Sequence, residues 1–301
     1  MKNRSISLLL VTGALASCGG GTPSVEEAPK EKLVIGDASA GPGASLYQMP
    51  TPNELFSIVR TMAGEGQKRM MNPANNADRY VSLSARAFNF GVCATDLVYA
   101  SYFKLNVEVV RYYLTVKKLG DRLGLGAAFS DADFVRLEAN LARGDSLEVI
   151  SNEAYYRAYT RMQDEDMGPT LALVLAGGWV ESMHLVMQQI GRFDPNDMLV
   201  ARVAEQKVSL EHLIEMMAPH SEDPNVGPVR VSLIGLRDIY DRTTVKRTPH
   251  EGLSRSGRMV LGDDVTVEMT EEIYLDLVQA VEEFRAGMVA PEDAVKVKMN
   301  A

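Results

Sequence analysis

Residues 171–190 read LALVLAGGWVESMHLVMQQI, and this stretch decides the fold. Its apolar residues cover every side of a helix, and a helix apolar all round is buried all round. A bilayer span also needs ~20 apolar residues, but Glu181 and His184 interrupt this one. A core helix is therefore expected. Gly177 and Gly178 fall in its middle, where glycine costs ~1 kcal/mol relative to alanine and is kept for close helix approach. Residues 83–102 repeat the arrangement, with Leu83, Ala87, Phe90, Ala94, Leu97, Val98 and Tyr102 around Gly91. In both segments an acidic residue follows the glycine, Asp96 in one and Glu181 in the other. Each leads into a second long helix, roughly 87 residues apart. That spacing fits a duplicated helical hairpin, or a chance likeness between two amphipathic hairpins.

Outward from these two segments, helix punctuation repeats. Thr51-Pro52-Asn53-Glu54 joins an N-cap, a proline at the first helical position and a capping-box glutamate. Asp145-Ser146, Asp194-Pro195, Ser130 with Asp133, and Thr270 before Glu271 are further starts. Glycines and prolines between them give helices near 52–63, 78–103, 106–122, 131–142, 146–165, 170–190, 195–217, 226–241 and 270–286. Strand signals are poor until Met259-Val260-Leu261 and Val265-Thr266-Val267, which could flank a turn at Gly262-Asp263-Asp264. The expectation is an all-α multi-helix bundle with a small C-terminal β-hairpin or irregular loop.

The N-terminus reads as an address. Lys2 and Arg4 precede a short apolar run from Ile6 to Ala14, followed by Leu15-Ala16-Ser17-Cys18. The run is too short for a stable membrane helix and matches a cleaved signal. Small residues before Cys18 resemble the lipobox of bacterial lipoproteins, in which the signal is cut before the cysteine and the sulfur carries a diacylglycerol. Residues 1–17 are thus expected to be the signal peptide. Residues 18–46, opened by the lipidated cysteine and Gly19-Gly20-Gly21, form a tether. Residues 47–301 then make a single helical domain. With no acidic residue directly after Cys18, an outer-membrane location facing the periplasm is expected.

Composition narrows the function. The 301 residues are 46% hydrophobic and 24% charged, typical of a globular chain, with a formal charge of −9. An acidic chain lacks the basic surface that nucleic acid requires. Two cysteines exclude a disulfide framework, and with Cys18 acylated, Cys93 is left as a buried thiol. The lipobox, the glycine-rich tether and Tyr47-Gln48-Met49-Pro50-Thr51-Pro52 carry a resemblance, as do the stretch from Asn89-Phe90-Gly91-Val92 to Asp96-Leu97-Val98-Tyr99-Ala100 and Ala176-Gly177-Gly178-Trp179-Val180-Glu181-Ser182. Together they resemble a group of helical lipoproteins from Bacteroidetes-type bacteria. The resemblance implies fold and location, and no activity, ligand or catalytic residue.

Glu181 and His184, three apart on one helix face, have the spacing of half a di-iron carboxylate site. A second Glu-x-x-His is missing, because His212 precedes Glu215 in the reverse order. No metal is expected, and the pair reads as hydrogen-bonded polar residues inside the bundle. Asp96, Tyr99, Tyr102, Arg111, Tyr112, Tyr113 and Trp179 also fall on central helices and must be paired or line a cavity. Asp96, Tyr99, Trp179, Glu181 and His184 are the candidate ligand-binding set. No Gly-x-Ser-x-Gly elbow, Walker loop or dinucleotide fingerprint accompanies the four histidines, so no catalytic residue and no cofactor is assigned. Arg242, Lys246, Arg247, Arg255 and Arg258 form a basic stretch, of which Lys246, Arg247, Arg255 and Arg258 are candidates for an anionic partner. The expected function is a lipid-anchored binding or scaffolding protein with a protein partner at the outer membrane. The alternative is a small-ligand or cofactor binder with a polar pocket between the central helices.

Overall fold

A computed structural model describes residues 58–140, 147–249 and 263–292. Eight α-helices lie within these residues: α1 (Leu83–Tyr102), α2 (Asn106–Arg122), α3 (Asp131–Asn140), α4 (Leu147–Asp164), α5 (Gly168–Gln189), α6 (Met198–Met217), α7 (Val226–Tyr240) and α8 (Glu271–Val289). Strands β1 (Thr244–Pro249) and β2 (Asp263–Glu268) pair antiparallel before α8. The fold is all-α with one small hairpin. The expected helix at 52–63 survives within the described residues as a 3₁₀ turn at Val59–Thr61, and the cap at Thr51 lies outside them. The helix expected from residue 78 begins at Leu83, where Ser82 caps it by accepting from the Ala85 N–H at 3.1 Å, and residues 78 and 79 instead close a separate 3₁₀ helix, Ala74–Arg79.

Local chemistry explains most of the other boundaries. Ser130 and Asp133 make the reciprocal capping box, Asp133 N to Ser130 Oγ at 3.2 Å and Ser130 N to Asp133 Oδ2 at 3.1 Å. Asp197 rather than Asp194 caps α6, accepting from Leu199 N at 2.8 Å, while Asp194 turns the preceding chain through Asn196. Thr270 caps α8 through Ile273 N at 3.3 Å. The cap expected at Asp145-Ser146 lies outside the described residues. Lys104 and Asp166, at φ 55° and 53°, take the left-handed conformation at the ends of α1 and α4. Each is followed by a backbone bond back across the turn, Leu105 N to Ala100 O and Met167 N to Met162 O, both 2.8 Å.

The hairpin differs from the sequence expectation. Val265-Thr266-Val267 is in a strand, but its partner is Thr244–Pro249, with Val245 opposite Val267 and Lys246 opposite Thr266. Asp263 and Asp264 sit in that strand, not in a turn, and Met259-Val260-Leu261 lies outside the described residues. β-branched Thr244 and Val245 supplied a second strand signal that the surrounding basic residues masked.

Helix α5 is the axis of the fold and packs against α1, α4, α6, α7 and α8. Residues 170–187 are all buried. It is long and apolar enough to cross a membrane, yet its apolar window is wholly buried within the protein. Its closest neighbour is α1, and the crossing falls at the glycines. A Cβ on Gly91 would lie 1.9 Å from Val174 O, and one on Gly177 would lie 2.0 Å from Phe88 O. Thr95 Oγ1 bridges the two backbones, donating to Gly91 O at 3.1 Å and approaching Gly178 O at 3.3 Å. The described hydrophobic core lies wholly within the compact unit Tyr47–Ala301, so that unit carries its own core.

Candidate functional site

Below the α1–α5 crossing, polar side chains from both helices meet α8. Glu181 is fully buried, and Arg285 of α8 grips it with two bonds, Nε to Oε2 at 2.6 Å and Nη2 to Oε1 at 2.7 Å. Burial works against the Arg285 charge, but the Glu181 charge and hydrogen bonds outweigh it and hold the guanidinium protonated. Asp96, also fully buried, accepts from Asn72 N at 3.1 Å through Oδ2, while no donor among the described residues reaches Oδ1. Burial, then the Glu181 charge, push the Asp96 carboxyl well above the usual carboxylate range. Hydrogen bonding with Glu181 acts in the same direction, because only the acid form of Asp96 can donate to a carboxylate.

One turn further along α5, His184 Nε2 faces Met70 O at 2.9 Å, and Nδ1 faces Glu282 Oε1 at 2.5 Å. A carbonyl oxygen and a carboxylate both only accept, so Nε2 donates to Met70 O and Nδ1 donates to Glu282 Oε1. Burial raises Glu282, but the hydrogen bond and charge of His184, with Gln188 and Arg285, bring it below its ordinary value. Glu181 and His184 are thus paired, each with a different residue of α8 and not with one another.

Asn72 and Asn89 extend the seam. Asn72 Nδ2 donates to Tyr80 Oη at 3.0 Å, and Tyr80 donates onward to Val289 O at 2.8 Å. Asn89 Nδ2 donates to Met288 O and Ala85 O, both 2.9 Å. Tyr112 donates to Asn72 O at 2.5 Å. The last turn of α8 thus supplies carbonyl acceptors, and the turns before it supply the charges. Cys93 lies in the same seam, free and buried, with burial first and Asp96 next pushing its thiol up, which keeps it unreactive.

The structure brings Asp96, Glu181 and His184 of the expected set into this seam. Tyr99 lies beside it, accepting from Gln67 N at 2.8 Å and turned to Met70 Sδ at 3.6 Å. Trp179 is buried, and its Nε1 has no hydrogen-bond partner among the described residues. The sequence reading does not single out Arg285, Glu282 or Asn72, and Asn89 enters it only within the stretch that carries the resemblance. A signal for two of them existed: Ile273, Leu277 and Val281 step by four along the buried face of α8, and the next step is Arg285. Tyr274 and Val278 lead to Glu282 in the same way. In the basic stretch, Lys246 pairs with Glu268 at 2.5 Å, Arg242 pairs with Asp276 and Glu272, and Arg247 is exposed on β1. Arg255 and Arg258 lie outside the described residues.

Surface clefts lie elsewhere among the described residues. One of about 510 Å³ separates residues 68–75 from α2, a second of about 370 Å³ continues it toward Lys118, and a third adjoins Gly64 and Lys104. None of the three is lined by Asp96, Tyr99, Trp179, Glu181 or His184. No protein-family model, curated protein or solved structure matches this chain.

Proposed function

We propose that this chain is a lipid-anchored protein of the bacterial outer membrane, facing the periplasm, that works by binding or scaffolding at the surface of its helical body. The observation that carries the binding half is the pairing inside the seam. Glu181 with Arg285, His184 with Glu282, and Asn72 with Tyr80 use their hydrogen-bonding groups on one another, as a structural network does. The surface is then what a partner meets. The anchor half rests on the lipobox at Leu15-Ala16-Ser17-Cys18 and the resemblance to helical lipoproteins. Labelling cells with an alkyne fatty acid tests it: the full chain takes up label and sediments with outer membrane, and Cys18→Ala abolishes both. Label retained by Cys18→Ala, or protein found only in the soluble fraction, overturns the anchor.

A second reading, a small ligand held near Asp96, Tyr99, Trp179, Glu181 and His184, is favoured by one observation, the buried Trp179 Nε1 without a partner. Native mass spectrometry of the protein from its host decides it. A stoichiometric mass beyond polypeptide and lipid supports the ligand, and its absence rejects it.

A further inference from the structure

The cleft between residues 68–75 and α2 joins two properties. Its volume, about 510 Å³, is that of a small-molecule site. Its buried lining includes Met71 and the ring of Tyr112, whose hydroxyl is committed inward to Asn72 O, and the half-buried Ala74 and exposed Pro73 add apolar surface. Its rim is cationic. The exposed Lys68, Arg69 and Arg111 line it against one carboxylate among its described lining residues, the buried Glu108. Arg111 Nη1 already bonds Glu108 at 2.7 Å, and Lys68 Nζ stands 3.9 Å from the same carboxylate. Arg69 makes no ion pair among the described residues, its Nε donating to Gln67 Oε1 at 2.8 Å. Two positive charges are therefore left over at the mouth of an apolar recess, on a chain whose formal charge is −9.

We infer that this cleft binds a small amphipathic anion, its apolar body against Met71, Pro73 and Tyr112 and its anionic head between Lys68 and Arg69. The inference deepens the reading of the body as a surface binder and is independent of the lipid anchor. An anionic head excludes neutral ligands because it alone meets the unmatched rim cations, and the apolar wall excludes free inorganic anions, which gain nothing from it. Fatty acids and soluble aromatic acids share this chemistry.

Residues 47–301, which hold the described core, suit the test in detergent-free buffer. The probe is 8-anilinonaphthalene-1-sulfonate, followed by fluorescence, with N-phenyl-1-naphthylamine as its uncharged counterpart. The sulfonate is expected to bind at one site, and Lys68→Glu with Arg69→Glu is expected to weaken it by about tenfold or more, roughly 1.4 kcal/mol, with an unchanged melting temperature. Binding of the neutral probe should be indifferent to the charge reversal. Laurate and 4-phenylbutyrate then compete: displacement by laurate alone indicates a lipid-derived ligand, and displacement by 4-phenylbutyrate a soluble acid. Equal loss of both probes, sulfonate binding that ignores the charge reversal, or displacement by neither acid overturns the inference.

Discussion

Gly91 and Gly177 occupy reciprocal positions: each presents its Cα to the carbonyl of the residue three places before the other, Val174 for Gly91 and Phe88 for Gly177. The offset that carries Gly91 onto Gly177 also carries Phe88 onto Val174, so the crossing of α1 and α5 is two-fold in its own contacts. The likeness noticed between the two glycine-bearing segments is a property of this crossing. Beyond it the surroundings differ, because α2 packs on the 3₁₀ turns at 74–79 and 126–128, whereas α6 packs on α7 and the hairpin.

Alanine at either glycine drives a methyl into backbone, which cannot swing aside as a side chain can. Gly91→Ala and Gly177→Ala should each lower stability by about 3 kcal/mol or more, at the upper end of overpacking costs. Once one substitution has parted the helices, the second costs less, so the double variant should fall short of the sum. Urea denaturation of the four proteins measures both quantities, and a strictly additive pair would show that the two contacts are independent.

Glu181→Gln leaves Arg285 buried and without its counter-charge, at a cost of about 3–5 kcal/mol. Replacing the pair together, by Glu181→Leu with Arg285→Met, should restore most of that stability. Thermal melts distinguish the two; a double variant no better than Glu181→Gln would mean that the seam needs the ion pair for more than charge balance.

Asp96 is held above the normal carboxylate range by burial and by Glu181. Folding therefore selects its acid form. Its contribution is complete below the unfolded aspartate value near ~4 and is lost as pH rises toward the elevated folded value. Asp96→Asn, which keeps a donor toward Glu181 and an acceptor for Asn72 N, should flatten the decline of melting temperature between about pH 4 and 7. It should be at least as stable as the parent at pH 7, and a steeper decline would place the proton elsewhere.

Glu282 has the opposite sign. Its folded value is lowered by His184, so its contribution is present above the unfolded glutamate value near ~4.3 and disappears as pH falls through the folded one. With its side chain 34% exposed, Glu282→Gln should cost about 1 kcal/mol at pH 6, and the difference from the parent should vanish in strong acid. Paired melts across pH 2–6 check the convergence.

Helix content was legible because caps and glycines mark the chain where apolar periodicity changes: α2, α7 and the ends of α5 fall within a few residues of their expected places. The seam was half legible. Asp96, Glu181 and His184 announce themselves as polar residues on apolar helices, but their partners belong to an ordinary amphipathic helix. Arg285 reaches Glu181 across 104 residues of sequence, and no local rule couples positions so far apart. The hairpin partner escaped for a similar reason, since a run of threonine, valine and basic residues fits an exposed strand as well as a solvated loop.

Helix α8 has a consequence for the order in which the protein can mature. A ribosome that has reached Thr270 has made every other described helix, yet the nascent interior still holds Glu181 without a cation, His184 without its carboxylate and Asn89 without the Met288 carbonyl. The seam gains these partners only as the nineteen residues of α8 arrive. A message truncated before this helix yields a polypeptide without those partners, which quality-control proteases should recognise as incomplete.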